Sequence, residues 1–173
     1  TTERSLVVPC ANAPVDLLLV RPSDIPEYVQ DGVVHLGVTG ANLVVEAQAD
    51  VVTLAELGFA RCTLQAAVPN DAAPTAIEDL GGLRIATAYP VSTRMLLAER
   101  GIQAEIVTVS GSVEATPRLG LADAIVDLVS TGSTASANGL RLIGTLLSSE
   151  AVLIGGRSAR LLRRRGQVRL GGL

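Results

Sequence analysis

Lysine is missing from this chain of 173 residues; all 14 of its basic side chains are arginine. Cationic contacts must therefore come from planar, multi-donor guanidinium groups. Aromatic residues are nearly as scarce, limited to Tyr28, Phe59 and Tyr89, with no tryptophan. A core has to be built from Val, Leu, Ile and Ala, and the row of aromatic platforms on which single-stranded nucleic acid stacks is not available. No apolar run approaches the roughly 20 residues that span a bilayer. The opening TTERSLVVPC lacks a basic n-region and a long apolar h-region. A soluble, cytoplasmic protein is expected, without nucleic-acid or membrane partners. The two cysteines, Cys10 and Cys62, sit in apolar strand-like contexts without CxxC spacing. Buried free thiols are expected there rather than a disulfide, a metal site or a nucleophile. The one histidine, His35, lies between Val34 and Leu36 and reads as a structural strand residue rather than a base.

What is present is apolar and unevenly charged. A hydrophobic content of 48% over this length is enough for a core, as one domain or two small lobes. All 17 acidic residues and eight arginines precede Arg157, whereas six arginines and no acid occupy the stretch from Arg157 to the end. The segment SARLLRRRGQVRL reads as a basic terminal helix that packs on an acidic body or a partner.

The most informative stretch is ADAIVDLVSTGST, Ala122 to Thr134. Ile125, Val126, Leu128 and Val129 form a run suited to a strand buried on both faces. Asp123 and Asp127 interrupt it at a spacing of four, which puts both on one side of a strand. The strand runs into Ser130, Thr131, Gly132, Ser133 and Thr134, a turn offering hydroxyls, backbone N–H groups and a glycine that lets an anion approach closely. A phosphate monoester suits such a turn before a helix start. Read alone, it is equally an ordinary strand-to-helix connection with Ser and Thr caps.

Strands are predicted over Val15–Val20, Val33–Thr39, Cys62–Val68, Leu83–Thr87, Glu105–Val109, Ala124–Val129, Arg141–Leu146 and Ala151–Ile154, with helices between them, an α/β pattern. Pro22 and Pro26 suit the first turn of a helix ending near Gln30, and Ser92 or Thr93 is a candidate cap for a helix that Gly101 stops. PNDAAP, Pro69 to Pro74, is the most linker-like segment. The chain is expected to cross there and to return near Leu147–Glu150. That gives one lobe from 1–68 plus 149–173 and a second from 69–148, with a cleft between.

RPSDIPEYV (Arg21 to Val29), LGVTG (Leu36 to Gly40), LGFARC (Leu57 to Cys62), RIATAYP (Arg84 to Pro90), GSVEATPRLGLADAIVDLVSTGST (Gly111 to Thr134) and NGLR (Asn138 to Arg141) follow one another in the chain. Together they resemble the ATP phosphoribosyltransferase family of histidine biosynthesis. The resemblance implies a two-lobed, type II periplasmic-binding-protein-like core. It implies transfer of the 5-phosphoribosyl group from phosphoribosyl pyrophosphate to N1 of ATP, with inversion, release of pyrophosphate and a requirement for magnesium. It places Thr131 to Thr134, with Ser130, at the 5′-phosphate, and Asp127 and Asp123 at ribose hydroxyls or at magnesium held mainly by substrate. Glu114 and Ser112 fall on the cleft wall; a helix-starting acid is the alternative for Glu114. Arg21, Arg84 and Arg94 become candidates for the polyphosphates, or surface ion-pair residues, and Thr39 and Gly40 candidate backbone contacts.

The chain departs from the family at His35 and Asn42, where Asp is usual, and at Ala135, where Leu or Met is. The match begins near the family's second strand, so the usual N-terminal strand, loop and helix are expected to be lacking. The absence of a large segment after Arg157 resembles the short form, which works as a homo-oligomer with a regulatory subunit similar to histidyl-tRNA synthetase. A non-catalytic ligand-binding module or a structural subunit of the same shape is the alternative. The salvage type of phosphoribosyltransferase fits less well, because it has two adjacent acids where this chain has Asp127 followed by Leu128.

Overall fold

The computed structural model describes residues 6–129 and 133–157. In chain order these form β1 (Val7–Pro9), β2 (Asp16–Leu18), α1 (Ile25–Gln30), β3 (Leu36–Gly40), α2 (Ala41–Ala47), β4 (Val52–Glu56), β5 (Cys62–Pro69), β6 (Arg84–Thr87) and α3 (Pro90–Ala98). Then follow β7 (Glu105–Thr108), β8 (Ala124–Val129), α4 (Ser133–Ala137), β9 (Leu140–Ser149) and β10 (Ala151–Gly155). Strands β1 and β2 pair as a hairpin, β3-β10-β4 form a small sheet, and β7-β6-β8-β5-β9 form a larger one. In the larger sheet β6 runs parallel to β7 and β8, while β5 is antiparallel to β8 and β9.

The apolar run of β8 takes the central place of the larger sheet, where both faces are covered. Side chains alternate along β5 and β8 with the two-residue strand period. Leu64, Ala66, Val68, Ala124 and Val126 pack under Leu80, Leu96 and Leu97 on one face. Ala67 and Ile125 pack with Val113 and Ala135 on the other. Leu64 and Ile85 are 1% and 0% exposed, and burying each such side chain contributes about 1.5–3 kcal/mol. Glycine at 144 in β9 leaves room for Ile77, because a Cβ there would lie 2.7 Å from Ile77 Cδ1 and force that side chain to shift.

The smaller sheet packs Val152 and Ile154 against Val29 and Ile25 of α1 and Val44 of α2. A Cβ on Gly37 would collide with Ile25 and Val29, so this glycine lets α1 approach the sheet. Leu36 and Val38 of β3 and Val7, Val8 and Leu17 of the hairpin are exposed.

Helix α1 carries Pro26 in its first turn and is followed by Gly32 at φ 74°; Gly101, at φ 71°, follows α3. Several expectations need correction. Helix α3 starts at Pro90, and Ser92 and Thr93 are buried within it rather than capping it. Proline is preset for a first helical position, and the cap comes from another element. Glu46 of α2 accepts the N–H groups of Val91 (3.0 Å) and Ser92 (2.8 Å) and the Ser92 hydroxyl (2.7 Å). A carboxylate suits the positive end of the helix dipole, and this contact fastens the small sheet's helical layer to that of the larger sheet. The third strand begins at Leu36, so His35 lies ahead of it and is exposed. Strands β1 and β4 were not among the predicted elements, and helix α2 was expected only as one of the helices between strands, without bounds. Both cysteines are free but only partly buried. Among the described residues strand β5 pairs with β8 and β9, so the first passage between sheets falls between β4 and β5, not after Val68. The return to the smaller sheet falls between β9 and β10. Of the basic C-terminal stretch, Arg157 is described and is paired with Asp50; the helix expected from Ser158 onward lies outside the described residues. No helix among the described residues is long and apolar enough to cross a membrane.

Candidate active site

Strand β8 ends at Val129 and α4 begins at Ser133, so a strand and a helix flank the small-residue stretch. Ser130, Thr131 and Gly132 lie outside the described residues. The two-residue period sets Ile125, Asp127 and Val129 on one face of β8. The pairing with β5 sets Ala67, Gln65 and Thr63 opposite them in turn. On this face a cavity of about 270 Å³ is floored by Gln65, Ala67, Ile125 and Asp127. Its walls include Leu142 of β9, Thr134 and Ala135 of α4 and Glu114 from the 3-10 turn Val113–Ala115.

Asp127 is the chemical centre of this cavity. Burial pushes its carboxyl above the ordinary carboxylate range, because desolvation disfavours the charged form. The N–H of Leu128, donated to Oδ1 at 2.8 Å, partly offsets this, and the like charge of Glu114 pushes the value up further. Two carboxylates lining one cavity make a site that favours hydroxyl groups or a cation. No group of three or more His, Cys, Asp or Glu able to hold a metal ion occurs among the described residues. A metal here would need most of its oxygen ligands from elsewhere. Tyr89 lies close by: burial raises its phenol pKa first, and the charges of Asp127, Cys62 and Glu46 add to it.

Asp123 occupies different surroundings. The β6–β8 register pairs Ile85 with Ala124, which brings Arg84 beside Asp123. Arg84 donates its backbone N–H (2.9 Å) and Nε (3.2 Å) to Oδ2 and Nη2 (2.8 Å) to Oδ1, while Nη1 reaches the Gly120 carbonyl at 3.1 Å. These hydrogen bonds from Arg84 hold the Asp123 carboxyl below its ordinary range. Four residues of strand separate Asp123 from Asp127 by about 13 Å. The structure therefore does not bring Asp123 and Arg84 to the cavity; they satisfy each other.

The remaining candidates are scattered. Thr134 lines the cavity and Ser133 opens α4 beside it. Ser112 is exposed and adopts left-handed backbone, φ 51° and ψ 39°, two residues before Glu114. Arg21 and Arg94 are exposed and do not line the cavity. Thr39 is buried and donates its hydroxyl to the Pro22 carbonyl at 2.7 Å. Gly40 precedes α2 in extended backbone, and a Cβ on it would collide with Asn42 Oδ1. Asn42 is itself locked to Ser149: Asn42 N–H donates to Ser149 Oγ (3.0 Å), which donates to Asn42 Oδ1 (2.8 Å). Gln65 was missed by sequence reasoning. Its signal is a single amide in the apolar run CTLQAAVP.

The family model for ATP phosphoribosyltransferase matches residues 21–169. The chain is 48% identical over 155 residues to the ATP phosphoribosyltransferase of Maricaulis maris, covering 86% of this chain and 53% of that protein. It is 42% identical over 158 residues to that of Bacteroides thetaiotaomicron, covering 91% and 56%. The chain thus spans about half the length of the curated relatives it matches. Among solved structures it is similar to the ATP phosphoribosyl transferase (HisG:HisZ) complex from Thermotoga maritima, with TM-score 0.78 and 25% identity over 97% of this chain and 81% of that one. The alkanesulfonate-binding protein SsuA from Xanthomonas axonopodis pv. citri, bound to MOPS, shares the fold at TM-score 0.53 and 21% identity, covering 79% of this chain and 53% of that one.

Proposed function

The chain belongs to the ATP phosphoribosyltransferase family, and from that premise we propose that it carries the catalytic core for joining N1 of ATP to C1 of phosphoribosyl pyrophosphate. In this reaction the adenine N1 lone pair forms the bond to C1 and the C1–O bond to pyrophosphate breaks, the electron pair leaving with pyrophosphate. No general base is needed to expose N1. Catalysis is then positioning and charge placement around an oxocarbenium-like transition state.

The observation that carries this reading is Asp127, desolvated in a cavity it shares with Glu114 near the end of a central strand. Asp127 is assigned to the ribose hydroxyls and Glu114 to the facing wall. Ser130, Thr131, Gly132, Ser133 and Thr134 are assigned to the 5′-phosphate. Asp127 and Glu114 suit a hard cation as oxygen donors but are too few to hold it alone. Magnesium carried by the pyrophosphate, with Asp127 as its protein oxygen, would neutralise leaving-group charge. Similarity to a chain of the HisG:HisZ complex supports assembly with a regulatory subunit of the histidyl-tRNA-synthetase type, besides a homo-oligomer.

The test is pyrophosphate release by the purified chain. Release that requires ATP, phosphoribosyl pyrophosphate and magnesium together is the expected result. Binding of phosphoribosyl pyrophosphate without release, with or without an added regulatory subunit, would reduce the chain to a binding module.

A further inference from the structure

Gln65 is polar, partly buried and placed in the cavity floor directly across from Asp127. Opposed residues of an antiparallel pair have Cβ atoms about 4.5–5.5 Å apart, so a single small ligand group can touch both. The orientation of the Gln65 amide follows from its neighbours. Thr63 Oγ1 donates its only proton to the Val129 carbonyl at 3.2 Å, since a carbonyl can only accept. The same oxygen lies 2.7 Å from Gln65 Nε2 and must accept there. The amide therefore turns its nitrogen to Thr63 and leaves Oε1 and one N–H directed elsewhere. Among the described residues Oε1 has no protein hydrogen-bond partner.

The backbone supports the same aim. In the β5–β9 pairing the register shifts between Leu64 and Gln65, and again between Ala66 and Ala67. Irregularities of this kind bend a strand and re-aim the side chains beside them. An amide acceptor locked by a threonine, next to a carboxylate acceptor one strand away, is complementary to a pair of neighbouring hydroxyls. One hydroxyl donates to Asp127 and the other to Gln65 Oε1.

Resting on the phosphoribosyl reading of this cavity, we propose that Gln65, positioned by Thr63, is a specificity-determining contact for the vicinal hydroxyls of the ribose. It recognises the sugar and contributes nothing to the pyrophosphate. Calorimetric titration of the full chain with magnesium phosphoribosyl pyrophosphate and, separately, magnesium pyrophosphate tests this. For Gln65→Leu, affinity for the sugar ligand should fall about 3- to 10-fold, the range of one hydrogen bond, with pyrophosphate affinity unchanged. Thr63→Val, which keeps shape and removes the hydroxyl that orients the amide, should shift the same ratio by about 2- to 3-fold. A ratio unchanged in both variants, or an equal loss for both ligands, overturns the role of Gln65 alone. A wild-type chain that binds neither ligand overturns the phosphoribosyl reading, and this role falls with it.

Discussion

Asp123, just ahead of β8, and Asp127, near its far end, are the same residue type four positions apart, and they do opposite things. At the entry end Asp123 receives three donors from Arg84 and is held below the ordinary carboxylate range. At the exit end Asp127 receives one, from the next residue's own N–H, and burial holds it above that range. The first carboxylate is already satisfied and part of the scaffold. The second is under-satisfied and faces a cavity, which is where a ligand gains most by supplying what the protein withholds. Partners, not spacing, separate a satisfied carboxylate from one left open to a cavity.

The same contrast gives opposite dependences on pH. Asp127, with its folded value raised, contributes stability below its unfolded value, and this is lost as pH rises through the folded value. Asp123, with its value lowered, contributes stability above its unfolded value, and this is lost as pH falls through the folded value.

The largest effect is expected from Asp127→Asn, which should weaken binding of phosphoribosyl pyrophosphate about 10- to 100-fold, the scale of hydrogen bonds to a charged group. Its melting temperature at neutral pH should be equal to or above that of the parent, because a desolvated charge has been removed; a clear fall on thermal melting would mean that Asp127 is structural. Next comes Glu114→Gln. Without the like charge Asp127 should ionise at lower pH, so the acid limb of the binding profile should move toward acid. A profile that stays put would separate Glu114 from Asp127. The smallest effect belongs to Asp123→Asn, which should lower the melting temperature at neutral pH by at most about 2–4 °C, since a partly exposed ion pair contributes little. That difference should shrink below about pH 4, where the unfolded carboxyl protonates, and ligand affinity should not change.

These differences explain how far the sequence could be read. The buried run Ile125 to Val129, ending in small residues, marked β8 and the start of α4, because a strand covered on both faces leaves an unmistakable pattern. Parity along the strand put Asp123 and Asp127 on one side, yet it carries no information about which neighbour brings an arginine. That is fixed by the β6–β8 register, a tertiary fact. Gln65 was hidden for the same reason, since its place opposite Asp127 depends on a pairing between segments about sixty residues apart. Strand β4, Val52–Glu56, was missed because a short run of mixed residues has no decisive period. Helix α2 holds one buried residue, Asn42, which leaves little apolar periodicity to read.

The most direct test of the account is one calorimetric comparison of the parent chain, Asp127→Asn and Asp123→Asn, each titrated with magnesium phosphoribosyl pyrophosphate at neutral pH. The account predicts that the parent and Asp123→Asn bind alike and that Asp127→Asn loses most of its affinity. Equal affinities for the parent and Asp127→Asn, or a loss confined to Asp123→Asn, would contradict it.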